Sequence, residues 1–153
     1  MLIGEEAINS AFDTWLKKNH FEARIRGLEN DFFWGADTDT IAYSFVHTET
    51  VANDLTQVFQ NLGLAYDMDI FWLSFFHELG HSRTWHLVDD NDIWEAELLS
   101  GFDYYYCQRE IVATEWAVNF INKHFDLVQD LMEMTKPAIL YFFNINKIEM
   151  EEK

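Results

Sequence analysis

Apolar residues recur every three to four positions near the start of the chain, and this spacing predicts an amphipathic helix over about residues 5–19. The buried face of that helix would consist of five residues: Ile8, Ala11, Phe12, Trp15 and Leu16. A second stripe of the same period predicts another helix over about residues 50–62. Its buried face would consist of Val51, Leu55, Val58, Phe59 and Leu62. We therefore expect both helices to pack one side against a core.

Between these two helices the chain is rich in aromatic and β-branched residues, which favour strands. Residues 32–35 and 40–46 have this composition, and the string GADTDT between them is typical of a turn, so the segment predicts a β-hairpin. Beyond residue 68 helical spacing returns and predicts three longer helices and two shorter pieces: about 69–87, 94–107 and 109–125, then pieces after Asp126 and after Pro137. These elements predict an α-rich α+β fold with one small sheet, and the length of 153 residues suits a single domain over 1–153.

The chain is strongly acidic, with 27 acidic against 10 basic residues and a formal net charge of −17. Such a charge repels nucleic acid phosphates and anionic lipid, so we expect no direct binding to nucleic acid or to a membrane. Solubility alone could explain the charge, but it could also attract a basic protein partner or imitate a nucleic acid. The candidate surface is the stretch 89–103, which lacks lysine and arginine and carries six acids: Asp89, Asp90, Asp92, Glu95, Glu97 and Asp103.

Three features of the sequence bear on the location of the protein. No run reaches the roughly 18 uncharged apolar residues that a membrane-spanning helix needs. The start MLIGEEAINS carries acids where a signal peptide carries basic residues. A single cysteine, Cys107, cannot form a disulfide within the chain, which is typical of a reducing compartment. We therefore expect a cytoplasmic protein.

The strongest functional signal lies in residues 71–82, FWLSFFHELGHS, which contain the pattern H-E-x-x-H. On a helix, His77 and His81 project from the same face and can reach one metal ion at about 2.0–2.1 Å. Glu78 is offset by about 100° and would lie beside the metal, where it can take a proton from a metal-bound water. The competing interpretation is a core helix with two hydrogen-bonded histidines. Gly80 counts against it, because a glycine inside a helix costs roughly 1 kcal/mol and allows another element to approach closely.

A catalytic zinc site needs three protein ligands and one open position for water, so a third ligand must come from elsewhere in the chain. The extended pattern H-E-x-x-H-x-x-G-x-x-H does not apply, since its last position is occupied by Leu87. Composition leaves four glutamates open: Glu95, Glu97, Glu110 and Glu115. Glu95 and Glu97 belong to the acidic stretch, which favours a solvated position. Glu115 has apolar neighbours along the chain, which favours an inward position: Ile111, Val112, Val118 and Phe120.

The string FFHELGHS, followed 34 residues after His81 by EWAVNF, resembles the ImmA/IrrE-type zinc metallopeptidases and related small phage-borne metallopeptidases. In this family a helix with H-E-[LI]-x-H precedes a second helix with E-x-x-A-N-x-x-A, whose glutamate is the third zinc ligand. Glu115 and Asn119 have the four-residue spacing of that glutamate and asparagine. The resemblance therefore implies a minimal, gluzincin-like zincin domain that binds Zn²⁺ through His77, His81 and Glu115 and uses Glu78 as the catalytic base.

The resemblance also implies a substrate cleft. The string TIAYSF, residues 40–45, resembles the short edge strand that precedes the active-site helix in such folds, where an extended peptide can add as another strand. The implied activity is intracellular hydrolysis of a specific protein by a zinc-activated water. The implied origin is a phage or mobile element, which would place the protein in a host cytoplasm. Residues that could stabilise the oxyanion or line the cleft are His47, His86, His124 and Tyr104–Tyr106.

Two other functions remain open from the sequence. A zincin-like binding protein could use its acidic surface to block a basic or nucleic-acid-binding partner, as a phage inhibitor or a nucleic acid mimic would. Such a protein has no need of Glu78 as a base. A purely structural zinc site is disfavoured, because structural sites usually have four protein ligands and are rich in cysteine.

Overall fold

A computed structural model describes residues 2–89, 98–99 and 101–152, with side chains up to residue 146. In these ranges the helices are α1 (Glu5–Lys18), α2 (Glu49–Asn61), α3 (Ile70–Thr84), α4 (Gln108–Lys123) and α5 (Phe125–Glu152). The strands are β1 (Arg24–Leu28), β2 (Phe33–Gly35) and β3 (Thr40–Tyr43), and 3₁₀ turns cover Trp85–Leu87 and Gly101–Tyr106. The prediction of an α-rich α+β fold with a small sheet is therefore confirmed.

The sheet has the strand order β1-β3-β2. β2 and β3 pair antiparallel as the predicted hairpin, whereas β1 pairs parallel to β3. The expectation that residues 40–45 form an edge strand is wrong, because β3 lies between the other two strands. The sequence does not predict β1, since its string RIRGL carries two charges and a glycine at φ 131° that interrupts the pairing register.

α1 lies in the core, as its hydrophobic stripe predicts. Four residues of that stripe are at most 1% exposed: Ile8, Phe12, Trp15 and Leu16. The indole Nε1 of Trp15 donates a hydrogen bond to the carbonyl of Leu127 at 2.9 Å, which ties α1 to the first turn of α5. The rings of Phe12 and Phe75 have centroids 4.9 Å apart, so α1 supports the back of the helix that carries the H-E-x-x-H motif.

α3 is buried on nearly every side and packs closely against α4. Asp69 caps its first turn by accepting a hydrogen bond from the amide of Phe71 at 2.9 Å. Further along, Gly80 faces the backbone of Ala113 so closely that a Cβ at position 80 would overlap the Ala113 carbonyl. The glycine inside the motif is therefore explained by the approach of α4, which brings the first turns of α4 to the histidines.

The predicted break near Pro137 is wrong, because α5 continues through the proline. A proline inside a helix removes one backbone hydrogen bond and costs roughly 3 kcal/mol. Val128, Leu131 and Phe142 lie on both sides of it and are buried in the core. Packing of this continuous face therefore outweighs the local cost of the proline.

The predicted helix 94–107 falls only partly within the described ranges. Residues 94–97 and 100 of the predicted helix 94–107 lie outside the described residues, and its end, Gly101–Tyr106, forms a 3₁₀ turn. Among the helices that the structure describes, none has the combination of length and apolarity that crossing a membrane requires.

Candidate metal centre

His77 and His81 project from consecutive turns of α3 toward α4. Both are buried, with 4% and 7% of their surface exposed, and their ring centroids are 4.7 Å apart. Together with Glu78 they offer ligand atoms that lie within 4.8 Å of one another, which is a group that could hold a metal ion. The prediction of a metal-binding group in the H-E-x-x-H motif is confirmed to this extent.

Glu110, in the first turn of α4, is the carboxylate that faces both histidines. Its Oε1 lies 3.0 Å from Nε2 of His77, and its Oε2 lies 3.1 Å from Nε2 of His81. Around a tetrahedral zinc with bonds of about 2.0–2.1 Å, neighbouring ligand atoms are about 3.3 Å apart. Each carboxylate oxygen is therefore within hydrogen-bond distance of one histidine nitrogen, close to the separation of two ligands around one metal ion.

The structure does not bring Glu115, the third ligand expected from the sequence, to the histidines. Its side chain is exposed, as is that of Asn119. Five residues separate it from Glu110, which corresponds to a rotation of about 140° around α4. Since Glu110 points into the site, Glu115 points away from it, so the structure brings Glu110 rather than the expected Glu115 to the two histidines. The other two candidates, Glu95 and Glu97, lie outside the described residues.

A signal for Glu110 is nevertheless present in the sequence. Ala113 and Ala117 follow it at three and seven positions, both are completely buried, and they mark the face of α4 that packs closely on α3. Apolar neighbours along the chain are a poor guide to Glu115, because adjacent residues of a helix point in different directions.

Thr114 fixes the orientation of the His77 ring. Its hydroxyl donates to the backbone carbonyl of Glu110 at 3.0 Å, so its oxygen is left to accept the Nδ1–H of His77 at 2.8 Å. With one proton on Nδ1, the second nitrogen, Nε2, faces Glu110: it donates to the carboxylate while His77 is protonated, and it would carry the lone pair for a metal once that proton leaves. A metal ligand of this geometry requires that tautomer. Sequence reasoning does not identify Thr114.

The β2–β3 hairpin holds the other histidine. The Trp34 ring stacks on His81 with centroids 6.2 Å apart and planes inclined by 13°. Asp39 Oδ1 accepts hydrogen bonds from Nε1 of Trp34 at 2.8 Å and from Oγ of Ser82 at 2.6 Å, and so fastens the hairpin to α3. The hairpin therefore restricts rotation of the His81 ring, a role that no local sequence pattern reveals.

The pKa values at the site reflect a buried ion pair. Burial alone would raise the pKa of Glu110, but hydrogen bonds from His77 and His81 outweigh burial and hold that pKa far below its usual range. Burial alone would lower the pKa of His77, but its hydrogen bond to Glu110 and the charge of that carboxylate raise it. A divalent cation at this position would replace the histidine proton as the partner of the carboxylate.

Glu78 lines the open cleft beside the histidines and is partly buried. Burial raises its pKa, the charges of His77 and His81 lower it, and the charge of Glu110 raises it, with a net increase. A carboxylate whose pKa is raised toward neutrality is suited to accept a proton and return it. Glu78 therefore lies beside the histidines and binds a proton more readily than an ordinary glutamate.

The cleft has a volume of about 530 Å³, and its wall includes His47, Tyr104 and Tyr105 as expected from the sequence. Arg109, which the sequence does not single out, lies there too. Its guanidinium donates to the Tyr104 hydroxyl at 2.7 Å, and its Nε lies 3.4 Å from Oε2 of Glu110. Burial raises the pKa of Tyr104, so the hydroxyl keeps its proton and can donate a hydrogen bond into the cleft.

The remaining candidates from the sequence do not line this cleft. His86 and His124 are exposed, and the hydroxyl of Tyr106 accepts a hydrogen bond from Asn61 at 2.9 Å. The acidic stretch 89–103, expected to attract a basic partner, lies largely outside the described residues, since these exclude 90–97 and 100.

Comparisons with known proteins give no relative from which a function could be transferred: no protein-family model, no curated protein and no solved structure matches this chain. The geometry of the site and the residue pattern of α3 and α4 are therefore the basis for a functional assignment.

Proposed function

We propose that the chain is a zinc-dependent endopeptidase that hydrolyses a specific protein substrate with a zinc-activated water. The observation that carries this proposal is the contact of the buried Glu110 carboxylate with Nε2 of both His77 and His81. Two histidines and one glutamate are the ligand set of known zinc peptidases, and they leave a fourth position for water. Glu78, in the cleft beside them, would supply the base.

The donor set favours zinc over harder cations. Imidazole nitrogens suit zinc, whereas Mg²⁺ and Ca²⁺ prefer oxygen ligands. Thr114 supports the assignment, because its hydrogen bond to Nδ1 presents the Nε2 lone pair of His77 to the site. The adjoining cleft favours an open, catalytic position over a structural site closed by four protein ligands.

Each residue of the cleft would then have a chemical role. Bound zinc would lower the pKa of a water toward about 7 and polarise the substrate carbonyl. Glu78 would take the proton of that water and return it to the leaving amine. Tyr104 would donate a hydrogen bond to the developing oxyanion, and the bond that its oxygen accepts from Arg109 makes it a stronger donor.

An extended peptide is the substrate that the cleft favours. β2 pairs with β3 on one side only in the described sheet, and Phe33 and Trp34 of β2 line the cleft. The open edge of β2 could therefore accept a substrate strand. The buried Cys107, the single cysteine of the chain, supports a reducing, cytoplasmic setting for the activity.

A second candidate function is a zincin-like binding protein that engages a basic partner through its acidic surface. The net charge of −17 favours it. The peptidase is preferred because a binding protein would have no use for Glu78, a partly buried carboxylate whose raised pKa reflects a cost of burial.

Digestion of native lysate proteins by the wild-type chain and by Glu78→Gln tests the proposal, with new amino termini identified by mass spectrometry. Glutamine keeps the size of Glu78, and Glu78 is not one of the proposed zinc ligands, so the fold and the zinc content should not change. Because glutamine cannot take a proton, hydrolysis should be lost. We expect new termini from the wild-type chain that the variant does not produce. Identical sets of termini from the two chains would contradict the peptidase and favour the binding function.

A further inference from the structure

A second groove adjoins the cleft of the metal centre. This groove, here called the α5 groove, has a volume of about 630 Å³ and lies between the starts of α2 and α3 and the middle of α5. Its apolar lining includes Phe45, Phe71, Trp72, Ile139, Leu140 and Phe143. His47 and Thr48 line both the α5 groove and the cleft, so the two are neighbours across the start of α2.

The floor of the α5 groove is already packed in the absence of a partner. The ring of Phe45 stacks on Phe71 with centroids 5.0 Å apart, and it contacts Phe143 edge-on at 4.8 Å. Phe143 nevertheless remains 47% exposed, and Leu140, which also lines the groove, is 52% exposed. Large apolar side chains that are grouped around a preformed groove and exposed to water are typical of a binding surface.

The rim of the α5 groove indicates the charge of its occupant. Glu49 and Asp69 are exposed carboxylates on the rim, against the single cation Lys136 among the lining residues that the structure describes. The chain as a whole has a net charge of −17, which would repel a second copy and attract a basic partner.

His47, which lines both pockets, has a ring nitrogen that makes no hydrogen bond with the described residues. Its Nε2 is buried and has no hydrogen-bond partner among the described residues. Burial lowers the pKa of His47, although the charge of Asp69 acts in the opposite direction, so the ring favours the neutral form. A buried imidazole nitrogen without a partner is costly, so the boundary between the two pockets carries an unsatisfied polar group.

We propose that the α5 groove docks a basic, amphipathic segment of a partner protein. Apolar side chains of that segment would lie on Phe45, Leu140 and Phe143, and its lysines or arginines would face Glu49 and Asp69. A partner held there would also reach the metal centre, because His47 and Thr48 border both pockets. If the proposed peptidase function holds, that partner is the substrate of the peptidase. Only this identification of the partner as the substrate rests on the proposed function.

A synthetic peptide of leucine and lysine at helical spacing, about 14 residues long, is a suitable probe. A scrambled peptide of the same composition controls for charge, because it cannot gather its leucines on one face. Binding is measured by fluorescence anisotropy at physiological salt with the full-length Glu78→Gln chain, so that hydrolysis cannot consume the probe. We expect the amphipathic peptide to bind at least about tenfold more tightly than the scrambled one.

Two single substitutions on α5 locate the binding surface. Leu140 and Tyr141 are neighbours and each is 52% exposed, but only Leu140 belongs to the lining of the α5 groove. Leu140→Glu and Tyr141→Glu add the same charge, so general attraction to the basic probe is matched. We expect Leu140→Glu to bind the amphipathic peptide about tenfold more weakly and Tyr141→Glu to bind it like the parent chain.

Three results would overturn the proposal. The amphipathic and scrambled peptides could bind with equal affinity. Leu140→Glu and Tyr141→Glu could also bind the amphipathic peptide with equal affinity. Either result would show that general charge attraction, not the groove, accounts for the binding. Sedimentation could instead show a dimer of the wild-type chain that Leu140→Glu dissociates, which would assign the groove to a second copy. Because the binding assay needs no hydrolysis, its failure would not count against the peptidase, and failure of the digestion experiment would not count against the groove.

Discussion

Glu110 and His81 are joined across the α3–α4 interface by a contact of 3.1 Å between Oε2 and Nε2. The same carboxylate reaches His77 through its other oxygen at 3.0 Å. Both contacts depend on Gly80, which lies on α3 between the histidines and allows α4 to approach. The contact of Glu110 with both histidines therefore depends on the packing of α3 against α4 as much as on the H-E-x-x-H motif.

Replacement of Gly80 by alanine should separate α3 from α4. The added Cβ would overlap the carbonyl of Ala113, so we expect the free energy of unfolding to fall by about 1–3 kcal/mol and zinc binding to weaken. Gly35→Ala is the matched control, because a Cβ there meets nothing closer than Thr40 Oγ1 at 3.6 Å. Urea unfolding and competition with a chelator measure the two effects. If Gly80→Ala had the free energy of unfolding and the zinc affinity of the wild-type chain, the close spacing of α3 and α4 would not be what positions Glu110 at the histidines.

Removal of the Thr114 hydroxyl should weaken zinc binding without removing a ligand. Thr114→Val leaves Nδ1 of His77 without its acceptor, so the ring loses its fixed tautomer and orientation. We expect an affinity loss of about 10- to 100-fold, measured by chelator competition. Thr114→Ser retains the hydroxyl and should bind zinc like the wild-type chain. Zinc affinity that Thr114→Val leaves unchanged, or that Thr114→Ser lowers by as much, would contradict this role of the hydroxyl.

Zinc binding should release a proton and weaken as the pH falls. Burial opposes protonation of His77, but Glu110 outweighs it and raises the pKa of the ring above 6.5 in the metal-free chain. Zinc binds only the neutral imidazole, so below the raised pKa a proton must leave before the ligand can bind. Calorimetry at about pH 6.5 in two buffers of different protonation enthalpy measures this release. A binding heat that does not depend on the buffer would exclude it.

The same ion pair should shape the stability of the metal-free chain. The raised pKa of His77 stabilises the fold below pH 6.5, and this contribution is lost as the pH rises through the raised value. The lowered pKa of Glu110 stabilises the fold above its ordinary value of 4.5, and this contribution is lost as the pH falls. We therefore expect the pair to contribute most between these values, measured by urea unfolding with a chelator present. A profile that Glu110→Gln leaves unchanged would contradict this account.

Tyr104→Phe should slow hydrolysis and leave the zinc content unchanged. The variant loses the hydroxyl that Arg109 polarises, so we expect kcat on a substrate identified from the lysate to fall about 100-fold. Tyr106→Phe is the control, because the Tyr106 hydroxyl is bound to Asn61. Equal rates for the two variants would remove Tyr104 from the proposed oxyanion site.

The part of the site that the sequence predicts is the part whose geometry is local. A spacing of four residues on one helix places His77 and His81 on the same face, independently of the rest of the fold. The choice between Glu110 and Glu115 is different, because both lie on the same predicted helix. It depends on which face of α4 packs against α3, and the small side chains of Ala113 and Ala117 indicate that face better than the apolar neighbours of Glu115 do.

In the fold as well, the elements set by local sequence patterns are predicted, and those that depend on tertiary packing are not. The α1 stripe and the β2–β3 hairpin are local patterns, and both are present in the structure. β1 is stabilised by direct parallel pairing with β3, although β2 lies between the two in sequence. The charged string RIRGL does not indicate this pairing. The continuation of α5 through Pro137 depends on a face buried by the rest of the core, and no local propensity can indicate it.

The metal content of the purified wild-type chain, Glu110→Gln and Glu115→Gln tests the central claim most directly. Elemental analysis should find one zinc per chain in the wild type and in Glu115→Gln, and little or none in Glu110→Gln, because Glu110 is the glutamate that contacts both histidines. Zinc that is retained in Glu110→Gln and lost in Glu115→Gln would contradict the account. So would a wild-type chain that holds no zinc after reconstitution.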